Sequence, residues 1–77
     1  MNSKKFVVTF NSIHDVIKSE RIIKSKFIDY QIVPLPSRLS SECGMCIQVN
    51  ESSLIVIKNE LDLNKINFKI YSSSYDI

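Results

Sequence analysis

Both cysteines of the chain and its only glycine lie in one short segment, SSECGMCIQV at residues 40–49. The spacing of Cys43 and Cys46, Cys-x-x-Cys, is typical of thioredoxin-like redox pairs and of half of a tetrahedral zinc site. The single histidine, His14, would bring the set of sulfur and nitrogen ligands to three, so a zinc site would need a dimer partner. We therefore predict neither a metal nor a cofactor, and we treat the segment as a source of thiols.

The chain around the cysteines argues against a redox pair. Residues 45–49 read as a β-strand, which places Cys46 on the face opposite to Met45, Ile47 and Val49. In an extended strand, residues three apart are separated by ~10 Å and point to opposite faces. A disulfide needs Cα atoms within ~7 Å, so this pair would bridge only if Gly44 bent the start of the strand. Cys43 is thus predicted in a loop and Cys46 in a sheet.

The elements that must position these residues follow from hydrophobic periodicity and helix-capping signals. An apolar stripe of Ile13, Val16, Ile17, Ile23 and Phe27 indicates the first helix, which Ser12 caps. Leu54, Ile57 and Leu61 mark the second, which Asn50 caps. The predicted order is strand 5–10, helix 11–27, strand 30–35, loop 36–43, strand 45–49, helix 51–61 and strand 66–71.

This βαββαβ order predicts an α+β, ferredoxin-like fold with two helices on one face of an antiparallel sheet of strand order 4-1-3-2. Residues 1–77 make one domain, with its core at 5–71 and a frayed tail at 72–77. The prolines Pro34 and Pro36 place the end of the second strand at a sheet edge.

In this topology Cys43-Gly44 lies next to the end of the first strand and the start of the first helix, where His14 is. A helix N-terminus or an imidazolium lowers the pKa of a thiol, and the thiolate is the nucleophile. Gly44 permits a positive φ, or close approach of a backbone or partner. The opposing interpretations are that Cys43 is an inert core residue, that Glu42 raises its pKa, and that His14 is simply solvated.

Several residues around Cys43 are candidates for binding an anion or a partner. Arg38 lies in the same loop, although a lone exposed arginine is most often only surface. Cys46 is most simply a sheet residue. The candidate binding residues are Ser12, Arg38, Ser41, Gly44 and Cys46.

Composition limits the classes of function. The net charge is +2 with scattered lysines, which does not favour nucleic acid. No apolar run approaches the ~20 residues that span a bilayer, and no secretory signal is visible. We expect a cytoplasmic protein that binds no membrane, in which the cysteines are thiols.

Two segments resemble a known family. FNSIHDVIKSERIIK at residues 10–24 resembles an F-x-S/T-x-H-x-A/V-L/I-x-x-E opening, and IVPLPSRLSSECG at 32–44 resembles I-P-x-P-x-x-I/L-S-x-x-C-G. Together they resemble the small selenium/sulfur carrier-like proteins over roughly residues 5–71. Two departures stand out: Ser37 separates the usual Pro-Arg pair, and Phe27 replaces a glycine that usually ends the first helix.

The resemblance implies a carrier rather than an enzyme. Cys43 would hold sulfur or selenium as a persulfide or selenyl-sulfide, with His14 modulating its pKa. Its partners would be a donor such as a cysteine desulfurase and an acceptor enzyme.

The alternative is a binding or regulatory module that uses the sheet face away from the helices, with a partner or as a homodimer. An RNA-recognition motif is rejected, because the third strand offers no stacking aromatic residues. Heavy-metal domains of this topology carry Cys-x-x-Cys after the first strand, whereas these cysteines lie at the third. The predicted module face consists of Val7, Thr9, Gln31, Val33, Cys46, Gln48, Asn67, Lys69 and Tyr71.

Overall fold

The computed structural model describes residues 4–35 and 44–72. They form four strands and two α-helices, with a short 3-10 turn at Glu51–Ser53 ahead of the second helix. The elements are β1 (Lys5–Phe10), α1 (Ile13–Ser25), β2 (Tyr30–Pro34), β3 (Met45–Asn50), α2 (Leu54–Leu63) and β4 (Phe68–Ser72).

The four strands form one antiparallel sheet in the order β2-β3-β1-β4, which is the predicted order 4-1-3-2. In the central pair Val8 lies opposite Ile47, and β2 joins β3 with Ile32 opposite Ile47. The predicted α+β, ferredoxin-like class is therefore confirmed. Pro34 is on an edge strand, as expected of a residue that cannot donate to a ladder.

The core lies between one face of the sheet and both helices. The sheet contributes alternate residues, as strand periodicity requires, and each helix contributes one stripe. Phe68 and Ile70 of β4 pack against its edge. The buried cluster consists of Val8, Phe10, Val16, Ile23, Ile47, Val49, Ile57, Leu61 and Ile66.

The apolar stripe predicted for α1 is only partly buried. Val16 and Ile23 are in the core, but Ile13 and Ile17 remain about half exposed and Phe27 is 94% exposed. The predicted apolar stripe is wider than the buried side of α1, because only a narrower sector of the helix faces the sheet. A buried Ser19 completes that sector.

The helix starts match the prediction for α1 but not for α2. Ser12 caps α1, and its Oγ accepts a hydrogen bond from the backbone N–H of Asp15 at 3.2 Å. Asn50 makes no side-chain cap hydrogen bond, and the chain forms a 3-10 turn before α2 begins three residues later than predicted. β4 also begins and ends later than predicted, so Ser72 belongs to a strand and not to a tail.

Both helices end in the same backbone motif. Phe27 and Lys65 have positive φ values of 58° and 57°. The next residue in each case donates its N–H five residues back, from Ile28 to the Ile23 carbonyl and from Ile66 to the Leu61 carbonyl. These are Schellman motifs, in which an apolar residue after the left-handed position packs back onto the core.

Candidate functional site

Gly44 marks the end of the described chain next to the loop that carries Cys43. Its φ is +69°, in the left-handed region that other residues adopt only with strain. A Cβ at Gly44 would meet no described atom within 4 Å, so the backbone conformation and not crowding calls for glycine. The expectation of a positive φ is confirmed.

Gly44 is held to the sheet on one side. Its carbonyl accepts a hydrogen bond from the Leu35 N–H at 3.0 Å, which extends the β2–β3 ladder one step beyond Pro34 and Met45. Residues 36–43 thus leave from and return to neighbouring backbone positions. The sequence placed Leu35 at the end of the second strand, but its pairing with Gly44 was not predicted.

The start of α1 lies at the same end of the sheet as Gly44. β1 ends at Phe10 and β3 begins at Met45, one pair beyond Thr9–Cys46, so the chain enters α1 beside the start of β3. Ser12 is partly buried and serves as the cap, whereas His14 is exposed on the first turn. The topology thus brings Ser12, His14 and Gly44 to the same end of the sheet.

Cys46 is a buried residue of β3. Its side chain is 0% exposed, and its Sγ–H donates to the Pro34 carbonyl at 3.8 Å across the β2–β3 pair. It faces away from the helix-side core, between Val33 and Thr9 in the register. A thiol in this position is closed to solution reagents and to cargo while the sheet is intact.

Three predicted site residues, Arg38, Ser41 and Cys43, lie outside the described residues. Within residues 4–35 and 44–72, no group of three or more His, Cys, Asp or Glu side chains could hold a metal ion.

The sheet face away from the helices is not the continuous surface that the alternative function required. Val7, Thr9 and Cys46 at its centre are buried, and the Thr9 hydroxyl donates to the Lys69 carbonyl at 3.5 Å. Gln31 and Lys69 on the two edge strands are exposed. A partner would meet the margins of this face, and we propose no function for it.

The side chain of Glu20 on α1 is hydrogen-bonded to β2. Its carboxylate accepts a 2.6 Å hydrogen bond from the Tyr30 hydroxyl, which ties α1 to β2. This hydrogen bond to Glu20 raises the pKa of Tyr30 above its usual 10.0, and desolvation and the carboxylate charge add to the rise.

A groove lies at the opposite end of the sheet from Gly44. It is open to solvent, has a volume of about 80 Å³ and is lined mainly by polar side chains. It is therefore separate from the candidate site. Its lining residues are Lys5, Asp29, Tyr30, Gln31, Gln48, Val49 and Asn50.

The fold defines a small α+β domain in which Gly44, the left-handed residue that follows Cys43 in the sequence, lies at the same end of the sheet as the start of α1. A family model described as "Putative Se/S carrier protein-like" matches residues 5–72, and the chain belongs to that family. No curated protein and no solved structure matched the chain. Among the described residues, neither helix combines the length and apolar character needed to cross a membrane.

Proposed function

We propose that this protein carries sulfur or selenium on Cys43 and hands it to an acceptor enzyme. The observation that carries the proposal is the family match over residues 5–72, because that family is described by this type of cargo. The left-handed Gly44 that follows Cys43, at the edge where α1 begins, supports it.

The transfer needs no external oxidant. The Cys43 thiolate attacks the outer sulfur of a persulfide on the donor, the donor's S–S bond breaks, and the donor cysteine leaves as a thiolate. A nucleophile of the acceptor then takes the outer sulfur and returns Cys43 to a thiolate. Selenium follows the same course through a selenyl-sulfide. The protein is consumed and regenerated once per atom moved, so it acts as a carrier and not as an enzyme.

The local backbone suits an anionic sulfur. The first turn of a helix directs N–H groups and the positive end of the dipole outward, which favours a thiolate over a thiol. His14 is exposed on this turn and can add positive charge when it is protonated. A thiolate cycle also fits the cytoplasmic location expected from the sequence.

The direct test is intact-mass spectrometry after incubation with a cysteine desulfurase and cysteine. Wild type should gain the mass of one sulfur atom, reversibly with a thiol reductant. Cys43→Ser should gain none, and Cys46→Ala should gain it as wild type does, because Cys46 is buried. An adduct that persists in Cys43→Ser, or no adduct in wild type, would refute the proposal.

The activation of the thiol is tested separately. The alkylation rate of Cys43 against pH, in the Cys46→Ala background, should give a thiol pKa below the unperturbed ~8.5. His14→Gln should raise that pKa, while Lys58→Gln on α2 should leave it unchanged. A normal thiol pKa, or equal effects of the two variants, would remove the helix start and His14 from the mechanism.

A further inference from the structure

The outward side of α1 has a composition unlike that of the other helix. At 3.6 residues per turn, its exposed positions fall within a sector of about 140°. Ile13 and Ile17 are 51% and 47% exposed there, one turn apart. We define the α1 outer face by its exposed residues Ile13, His14, Ile17, Lys18, Arg21 and Lys24.

The charge of this face has one sign. Lys18, Arg21 and Lys24 are exposed on it. The two acids of the helix, Asp15 and Glu20, lie outside the sector and are only partly exposed, and the Glu20 carboxylate is already bound by the Tyr30 hydroxyl. The α1 outer face is thus aliphatic and positive.

The second helix does not combine exposed aliphatic side chains with positive charge of one sign. α2 also exposes aliphatic side chains, but it carries one basic residue, Lys58, against Glu60 and Asp62. Glu60 is 3.4 Å from Lys26 in an ion pair. The positive charge is therefore a property of α1 and not of the helical layer as a whole.

We propose that the α1 outer face docks the donor of the carried atom, through a surface of that enzyme where carboxylates border a small apolar cleft. This inference rests on the proposed carrier function. α1 begins at the end of the sheet where Gly44 lies, so a donor seated along α1 reaches the end of the sheet that holds Gly44, the neighbour of Cys43 in the sequence. Positive charge on this face steers an acidic partner, and the isoleucines supply the apolar contact.

Two other occupants fit the face less well. A helix that lies in a membrane needs a broad apolar side, whereas the exposed isoleucines here span about 40° with Lys24 between them. A second copy of the chain offers no cluster of carboxylates among its described residues: the exposed Asp29, Glu51 and Asp62 lie in three different parts of the chain, and Glu60 is engaged by Lys26. An acidic protein surface meets the charge and the narrow apolar contact together.

The test is binding of the full chain to a purified cysteine desulfurase from the same genome, measured by titration at low and moderate salt. Arg21→Glu/Lys24→Glu should weaken binding by tenfold or more, and Ile17→Ser by about tenfold, with wild-type affinity falling as salt rises. Lys58→Glu/Lys69→Glu is the matched control, since it makes the same change of net charge at exposed positions of α2 and β4. It should bind as wild type does.

Equal weakening by the two double variants, or no binding of wild type to the desulfurase, would overturn the docking proposal. So would binding to vesicles containing anionic phospholipid, or a dimer seen by light scattering, that only Arg21→Glu/Lys24→Glu abolishes. Thermal unfolding of every variant by circular dichroism shows that the fold is retained.

The two proposals can fail independently. Cys43→Ser should bind the desulfurase normally while accepting no sulfur. Normal docking without sulfur on wild-type Cys43 would reject the carrier and keep the docking face. Normal sulfur transfer to Arg21→Glu/Lys24→Glu would reject the docking face and keep the carrier.

Discussion

Some single residues of this protein lower the stability of the fold, and Ser19 is one of them. The Ser19 hydroxyl is 0% exposed and makes no hydrogen bond to any described residue. A buried hydroxyl without a partner costs roughly 1–3 kcal/mol. A small side chain here lets α1 approach the sheet, and alanine would do the same without the buried oxygen.

We expect Ser19→Ala to raise the free energy of unfolding by about 1 kcal/mol, from urea titration followed by circular dichroism. Ser25→Ala is the matched control. Both changes gain similar helix propensity, but the exposed Ser25 Oγ donates to the Ile22 carbonyl at 2.7 Å. Equal gains from the two variants would show that the buried hydroxyl carries no penalty.

Phe27 and Lys65, among the described residues, have strained backbone conformations. Each is a non-glycine residue in the left-handed region at the end of a helix, and Phe27 has almost no contacts to lose. The left-handed conformation costs such residues roughly 1–2 kcal/mol, part of which glycine recovers.

Phe27→Gly and Lys65→Gly should therefore each raise the free energy of unfolding, by roughly 0.5–1 kcal/mol. Lys58→Gly, in the middle of α2, should instead lower it by about 1 kcal/mol. Thermal and urea unfolding of the three variants provide the comparison. A loss of stability in Phe27→Gly would mean that its ring packs in solution.

Among the elements, α1 and β2 are joined by a side-chain hydrogen bond that responds to pH. The Tyr30 hydroxyl donates to Glu20, and this raises the pKa of Tyr30 above 10.0. Because the protonated phenol is favoured by folding, its contribution to stability is fully present below the unfolded pKa of about 10. It is lost as the pH rises through the higher folded pKa.

The difference in unfolding free energy between wild type and Tyr30→Phe should accordingly be constant from neutral pH to about 10 and shrink above it. Taking the difference removes the titration of lysines that both proteins share. Glu20→Gln keeps an acceptor but removes the charge, so the pKa of Tyr30 should rise less on folding and the loss should be complete at a lower pH. A difference that stays constant through the alkaline range would contradict the raised pKa.

At the scale of the whole molecule, burial decides whether Cys46 can react. Its side chain is 0% exposed, on the face of the sheet away from the helices, so the thiol is reached only when the structure around it opens. Its reactivity therefore measures opening of the fold and not local chemistry.

Alkylation of Cys46 in the Cys43→Ser variant should be slower than in concentrated urea by about 10³-fold or more, as expected for a domain of ordinary stability. Its rate should rise with urea in parallel with the unfolding equilibrium. A fast rate without urea would show that the structure around Cys46 opens locally. Val8→Ala, which weakens the core, is the positive control for opening.

The sequence predicted the sheet order because strand alternation and right-handed crossovers leave few alternatives. It also located the cap at Ser12 and the left-handed glycine, since each follows from residue type alone. It did not find the Glu20–Tyr30 pair or the exposure of Ile13 and Ile17, which depend on how α1 is rotated against the sheet. Nor did it distinguish Asn50 as the residue before a 3-10 turn from Asn50 as the cap of an α-helix, because asparagine is favoured at both positions.

The hydrogen bond from Leu35 to Gly44 holds the two residues that flank segment 36–43 side by side on neighbouring strands. For a grafted peptide that is flexible, doubling the length between these two positions adds only about 0.6 kcal/mol of closure entropy. The length of such a graft can therefore vary at little cost to the stability of the sheet. Foreign peptides grafted between Leu35 and Gly44 would be displayed on a 77-residue scaffold without a change in the structure of the sheet.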